Sequence, residues 1–207
     1  MNRTSFSLFM TAVLLGLGGC SSAPGPKKEA APKKPVEPVT GQSGIFQMYQ
    51  VARTWAKDAM LLKVDNLDIP EAKSQPGKYG AWRATFVSLE KKQKRDYMYA
   101  VADSEGGIIK GARAGSESLY AANPQVRPIS IQDVKIDTPA ALEEALKNKE
   151  VKAFADKNPD EPVQFILEWT GQTAEPCWRV FWGPTLSTAK ANVWISSKTG
   201  KFVKKGR

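Results

Sequence analysis

The sequence predicts an α+β protein in which one unit, a helix packed on a small antiparallel sheet, occurs twice. Three observations predict it. A strand-like run carrying Trp-Arg recurs, as Ala81-Trp82-Arg83-Ala84-Thr85-Phe86 and Cys177-Trp178-Arg179-Val180-Phe181-Trp182. Each copy is followed by a second strand-like run and a glycine turn: 97–102 ending in Asp103-Ser104-Glu105-Gly106, and 191–196 ending in Ser197-Lys198-Thr199-Gly200. Apolar residues at helical spacing precede each copy.

In chain order, residues 1–19 read as a signal peptide, excluded from fold reasoning. Arg3 supplies the positive start and residues 6–17 the apolar stretch, which at 12 residues is too short for a membrane span of about 30 Å. Residues 20–43 are rich in Pro, Ala, Lys and Gly, with few large apolar side chains. Such a stretch cannot bury enough surface to offset its ordering entropy, and it reads as a tether. Residues 44–127 and 128–207 then form the two units.

In the first unit Ile45, Tyr49, Ala52, Trp55 and Ala56 mark a helix; strands follow at 59–64, 81–86, 97–102 and 107–110. In the second, Thr138 and Pro139 form an N-cap and first turn, and Ala141, Leu142, Ala145, Leu146 and Phe154 mark the helical face. Asn158-Pro159-Asp160 ends that helix, and strands follow at 163–169, 177–182, 191–196 and 201–204. Period two places Trp82 with Ala84 and Phe86, and Trp178 with Val180 and Trp182; Arg83 and Arg179 point to the opposite face.

Composition removes several chemistries. The 207 residues contain no histidine, so no Ser-His-Asp or Cys-His relay and no His-ligated zinc is available. Two cysteines make no four-thiolate site. Asp65-Asn66-x-Asp68 lacks the sixth-position glycine and twelfth-position glutamate of a calcium loop, and no phosphate-binding glycine motif occurs. No cofactor or metal is expected. The net charge is +9, of which Arg3 leaves with the signal. The cations are spread rather than gathered in a stripe, so nucleic acid is not expected as a partner.

Two resemblances sharpen the expectation. Leu17-Gly18-Gly19-Cys20 resembles the lipobox of bacterial lipoproteins. It implies that Cys20 becomes the acylated N-terminus, with palmitate-type chains holding the protein to a membrane; two or more chains anchor stably. Ser21 after the cysteine favours the outer membrane, facing the periplasm, over the inner membrane of the cell envelope. Cys177 is then the remaining thiol, read as a small buried residue. The second resemblance is to PepSY-type domains, carried by Trp178-Arg179-Val180 and by residues 193–200, Val-Trp-Ile-Ser-Ser-Lys-Thr-Gly. Ser196 departs from the aspartate usual in that family. The resemblance implies small extracytoplasmic modules that restrain peptidases or sense at the envelope without catalysis.

The candidate partner-binding residues are therefore Trp82, Arg83, Trp178 and Arg179. One reading has the guanidinium beside aromatics gripping a carboxylate or peptide. The other has the tryptophans in the core and the arginines paired with Glu168, Asp103 or another acid. Lys91-Lys92-Gln93-Lys94-Arg95 reads as a solvated hairpin loop, and Lys201, Lys204, Lys205 and Arg207 as a basic edge. The expected function is binding of a protein or envelope polymer. The alternatives are a structural or assembly lipoprotein without a specific ligand, and an unrecognised hydrolase.

Overall fold

The computed structural model describes residues 35–206; Cys20, the signal peptide and most of the expected tether lie outside them. The fold is α+β, a large antiparallel sheet with a few helices. In chain order the elements are β1 (Val39–Thr40), α1 (Gly41–Trp55), β2 (Met60–Leu67), β3 (Lys78–Tyr79), β4 (Ala81–Ser88), β5 (Gln93–Ala100), β6 (Gly111–Leu119), α2 (Thr138–Leu146), α3 (Lys149–Lys157), β7 (Val163–Glu168), β8 (Cys177–Trp182), β9 (Ala191–Ser196) and β10 (Phe202–Lys205). Eight strands make one sheet in the order β10-β9-β8-β7-β2-β4-β5-β6. β1 and β3 form a separate two-residue pairing.

The middle of the sheet is the antiparallel pairing of β2 with β7, where Lys63 faces Glu168, Val64 faces Leu167 and Asp65 faces Ile166. Asn66 extends this pairing with its side chain: Oδ1 accepts from the Phe165 N–H at 2.7 Å and Nδ2 donates to Gln164 Oε1 at 2.7 Å. On one face Val64, Trp82, Ala84, Phe86, Tyr97, Phe165, Leu167, Trp178, Val180, Val193 and Ile195 form the core with the helices. α1 presents Ile45, Met48 and Ala52 to it; α2 presents Ala141, Leu142 and Ala145. α1 packs against β4, β5 and β6, and α2 against β8 and β9.

The two tryptophans of the Trp-Arg runs fix where these helices begin. Trp82 Nε1–H donates to the Val39 carbonyl at 3.1 Å, two residues before α1. Trp178 Nε1–H donates to the Ile136 carbonyl at 2.7 Å, two residues before α2. Their rings meet edge to face with centroids 6.4 Å apart. The helix starts are tied to each other as well. Asp137 Oδ1 accepts from the N–H of both Gln42 and Thr138, and Thr138 Oγ1 accepts from the Gly41 N–H. One carboxylate thus satisfies otherwise unpaired N–H groups of two helices.

Several boundaries differ from expectation. α1 starts at Gly41, three residues inside the stretch read as tether, because Thr40 caps it and Val39–Thr40 pairs with β3. The strand expected at 107–110 is a turn around Glu105–Gly107; the strand that adds to β5 is β6, Gly111–Leu119. The expected Lys-rich loop is a tight turn at Lys91-Lys92, and Lys94 and Arg95 lie in β5. The second helical segment breaks at Asn148, whose side chain accepts from Glu150 and Val151 N–H groups and starts α3. Asp137, not Thr138, is the cap of α2.

Gly44 lies against the Trp82 ring, and a Cβ there would approach its atoms to 2.6 Å. Alanine would gain about 1 kcal/mol of helix propensity but overpack at a cost of about 1–3 kcal/mol. Gly44→Ala is therefore expected to destabilise the full chain in urea unfolding, and a stabilised variant would contradict this packing. Asp137→Ala is expected to cost about 1–2 kcal/mol in the same measurement, since two helix starts lose their acceptor.

Candidate functional site

Strand alternation separates the four candidate residues. Trp82 and Trp178 are fully buried on the helix-covered face, with both indole N–H groups used. Arg83 and Arg179 project from the opposite face. The structure brings the tryptophans together and leaves the arginines apart, with β2 and β7 between their strands. At about 4.8 Å per strand that separation is about 14 Å. The four residues do not form one cluster.

The registers place one residue from each strand in a single row across this second face: Arg113, Met98, Arg83, Asp65, Ile166, Arg179, Trp194 and Lys204. The two arginines have different surroundings in it. The Arg83 side chain is 52 % exposed and binds Asp65 Oδ2 at 2.6 Å, an acid that Lys63 also approaches at 3.6 Å. The Arg179 side chain is 14 % exposed. Its Nε–H donates to Asn192 Oδ1 at 3.1 Å, its guanidinium lies 4.7 Å from the Trp194 ring centre, and Glu168 stands 3.8 Å away. Burial pushes the Glu168 carboxyl pKa up despite Arg179 and Lys63 nearby, and burial likewise lowers that of Arg179 despite Glu168. Desolvation outweighs attraction in this pair.

Two concavities flank Arg83. One, of about 370 Å³, combines Arg83, Lys63 and Asp65 with Leu67, Ile166 and Phe181. The other, of about 410 Å³, lies between Arg83, Met98, Ile109 and Arg113. Each sets arginine beside apolar surface and a carboxylate, Asp65 and Asp68 in the first and Asp96 in the second, a mixed lining suited to a short peptide segment. Asp65 is the residue that reading the sequence missed as the Arg83 partner; its place opposite Arg83 follows from register, which the two strands do not reveal separately.

Cys177 is fully buried, its thiol 3.3 Å from the Glu175 carbonyl, and burial raises its pKa to about 12. A thiol so protonated is no nucleophile at neutral pH. Ser196 holds the turn that follows β9: its Oγ accepts from the N–H groups of Lys198 and Thr199. Among the described residues no group of three His, Cys, Asp or Glu is placed to hold a metal. No helix among them is long and apolar enough to cross a membrane. Comparison with known proteins gives no matching family model, no matching curated protein and no matching solved structure.

The exposed Arg83–Asp65 pair is worth under about 1 kcal/mol, so Arg83→Ala is expected to leave stability nearly unchanged. Arg179→Ala is expected to cost about 1–3 kcal/mol, because it strips partners from half-buried Glu168 and buried Asn192. Equal losses in thermal or urea unfolding would contradict the difference in burial. Cys177 is expected to react with a thiol reagent only after denaturation. Its folded pKa is the raised one, so its contribution is whole below the ordinary thiol pKa of 9.0 and is lost as pH rises toward about 12. The wild type is expected to lose stability faster than Cys177→Ala above pH 9; parallel profiles would contradict it.

Proposed function

We propose that this chain is a lipid-anchored extracytoplasmic binding protein without catalysis, built from two PepSY-like units joined edge to edge. It restrains or senses a peptidase or another envelope partner. The observation that carries the binding reading is Arg83, an exposed guanidinium paired with Asp65 and standing between two grooves on a helix-free sheet face. A peptide segment with a carboxylate that competes with Asp65 for Arg83, and apolar side chains for the grooves, fits that surface. The nine-residue edge strand β6, mostly exposed, offers unpaired backbone groups for strand addition.

The two-unit reading is supported by the strand order. Starting from the central pair, β2-β4-β5-β6 run outward one way and β7-β8-β9-β10 the other. Asp65 faces Ile166, and each is in turn paired to an arginine, Arg83 and Arg179. Both tryptophans bond the carbonyl two residues before a helix. A twofold relation between units accounts for all three. The anchor reading is supported by the resemblance of Leu17-Gly18-Gly19-Cys20 to a lipobox, and with Ser21 it favours the bacterial cell envelope, at the outer membrane facing the periplasm.

A second reading, a structural or assembly lipoprotein without a specific ligand, is favoured by the burial of Trp82 and Trp178, which gives the Trp-Arg runs a role in the fold alone. The two are separated by crosslinking pull-down of the full-length lipidated protein from its membranes. Arg83→Ala is the variant of choice, since it spares the fold. A recurrent peptidase or other protein lost in the variant is expected; abundant bystanders alone, unchanged by Arg83→Ala, would favour the structural reading. Cys20→Ala is expected to release the protein from membranes, and full retention would overturn lipid anchoring.

A further inference from the structure

We propose that the tip formed by the β4–β5 turn, the C-terminal end of α1 and the end of β6 docks on an anionic lipid bilayer. Leu89 and Leu119 enter the head-group region, and Arg53, Lys57, Lys91 and Lys92 face the lipid charge. This surface shares no residue with the grooves at Arg83 and stands without the reading given to them.

Strand pairing gathers these residues. Ser88 faces Gln93 and Gln93 faces Leu119, so the turn after Ser88 and the end of β6 are neighbours. The Tyr120 N–H donates to the Lys92 carbonyl at 2.9 Å, which ties the two together. Asp58 joins the turn to the segment that follows α1: its carboxylate accepts from Ser88 Oγ at 2.7 Å and from the Glu90 N–H at 3.0 Å. Lys57 precedes that aspartate. Lys91 Nζ stands 5.8 Å from the ring centre of Trp55, the last residue of α1.

Apolar exposure and charge together select a bilayer. Leu119 is 84 % exposed and Leu89 51 %. A lone exposed leucine is ordinary, but here two stand on a turn and a strand end beside cations. A protein partner needs a shaped pocket for each, whereas the boundary of head groups and acyl chains accepts any projecting apolar side chain. Arg53, Lys57, Lys91 and Lys92 are all exposed, against exposed Glu90 and half-buried Asp58. Long lysine stems let the ammonium groups stay among lipid phosphates while the leucines go deeper. Lys92 has φ 53°, the one positive value at a non-glycine residue among the described residues. Glycine takes that conformation without steric cost, so lysine keeps a charge at the tip where glycine would relax the turn. The chain enters this fold at the other end of β4, where Val36 and Val39 pack near Ala81 and Ala100. From Cys20 to Pro35 the chain spans at most about 50 Å, against about 26 Å for the length of β4, so a membrane anchor at Cys20 leaves the tip free to reach the same bilayer.

The test is hydrogen exchange, read by mass spectrometry, of the full-length protein reconstituted in phosphatidylcholine vesicles with and without phosphatidylglycerol. Both vesicle types engage an acyl anchor equally, so a difference between them reports the tip and not the anchor. Amides of residues 89–92 and 117–120 are expected to exchange several-fold more slowly on the anionic vesicles, and raised salt is expected to reverse this. A lysine at an anionic surface is worth about fivefold in occupancy, so Lys91→Gln/Lys92→Gln is expected to weaken docking about 25-fold and abolish the slowing. Leu119→Ser is expected to abolish it as well. Lys149→Gln/Lys157→Gln, the same charge change on α3, is expected to keep it. Lys92→Gly is expected to weaken docking without lowering the urea midpoint, which separates docking from folding. Equal exchange on the two vesicle types, the result an acidic protein partner would leave, overturns the proposal. So does slowing that survives Lys91→Gln/Lys92→Gln or Leu119→Ser.

Discussion

Two tryptophan side chains hold the helix starts to the sheet, and most of the architecture follows from them. Trp82 and Trp178 sit on strands that flank the central β2–β7 pair, and each indole N–H reaches the carbonyl just ahead of a helix. Their rings touch each other edge to face, with Tyr79 and Phe165 completing a cluster at 5.5 to 6.3 Å. A buried indole needs an acceptor, and a chain segment entering a helix has a carbonyl to spare. Once these bonds form, α1 and α2 begin in fixed places, and Asp137 and Thr138 join the two starts. The close approach at Gly41, whose added Cβ would meet the Trp178 ring at 2.7 Å, leaves little room for another arrangement.

The same strands that bury tryptophan on one face must show arginine on the other. The packed core and the proposed binding surface thereby fall on opposite sides of one backbone. On the helix-covered face the indoles of Trp82 and Trp178 are paired within a largely apolar core. The other face carries polar and charged side chains in a row, with unequal compensation along it. Arg83 is neutralised and wet, whereas Arg179 is dry and short of acceptors. That inequality arises from one residue, since Asp65 stands on β2 where Ile166 stands on β7.

Much of the fold was legible from local pattern. The α+β class, both helical regions, seven of the eight expected strands near their true positions and the opposite orientation of Trp and Arg all follow from period 3.6 and period 2. The failures have physical causes. Residues 107–110 have strand-like composition, but the glycines at 106, 107 and 111 all take positive φ and turn the chain, so the strand forms later in Gly-Ala-Arg-Ala-Gly-Ser. At the second cap, Asp137 outcompetes Thr138 because it serves two helices at once. The arginine partners were less legible. Glu168 was among the acids considered for pairing, but Asp65 was not singled out, because cross-strand register is set by tertiary pairing.

The most direct test of the central claim is a double-mutant cycle on Trp82→Phe and Trp178→Phe, read by urea unfolding of the full chain. Each change removes one indole bond to a helix entry, and the two rings are in contact. A coupling of about 0.5–1.5 kcal/mol within one cooperative transition is the result expected of touching aromatic residues. Additive losses, or two separate transitions, would contradict an architecture that depends on this pair.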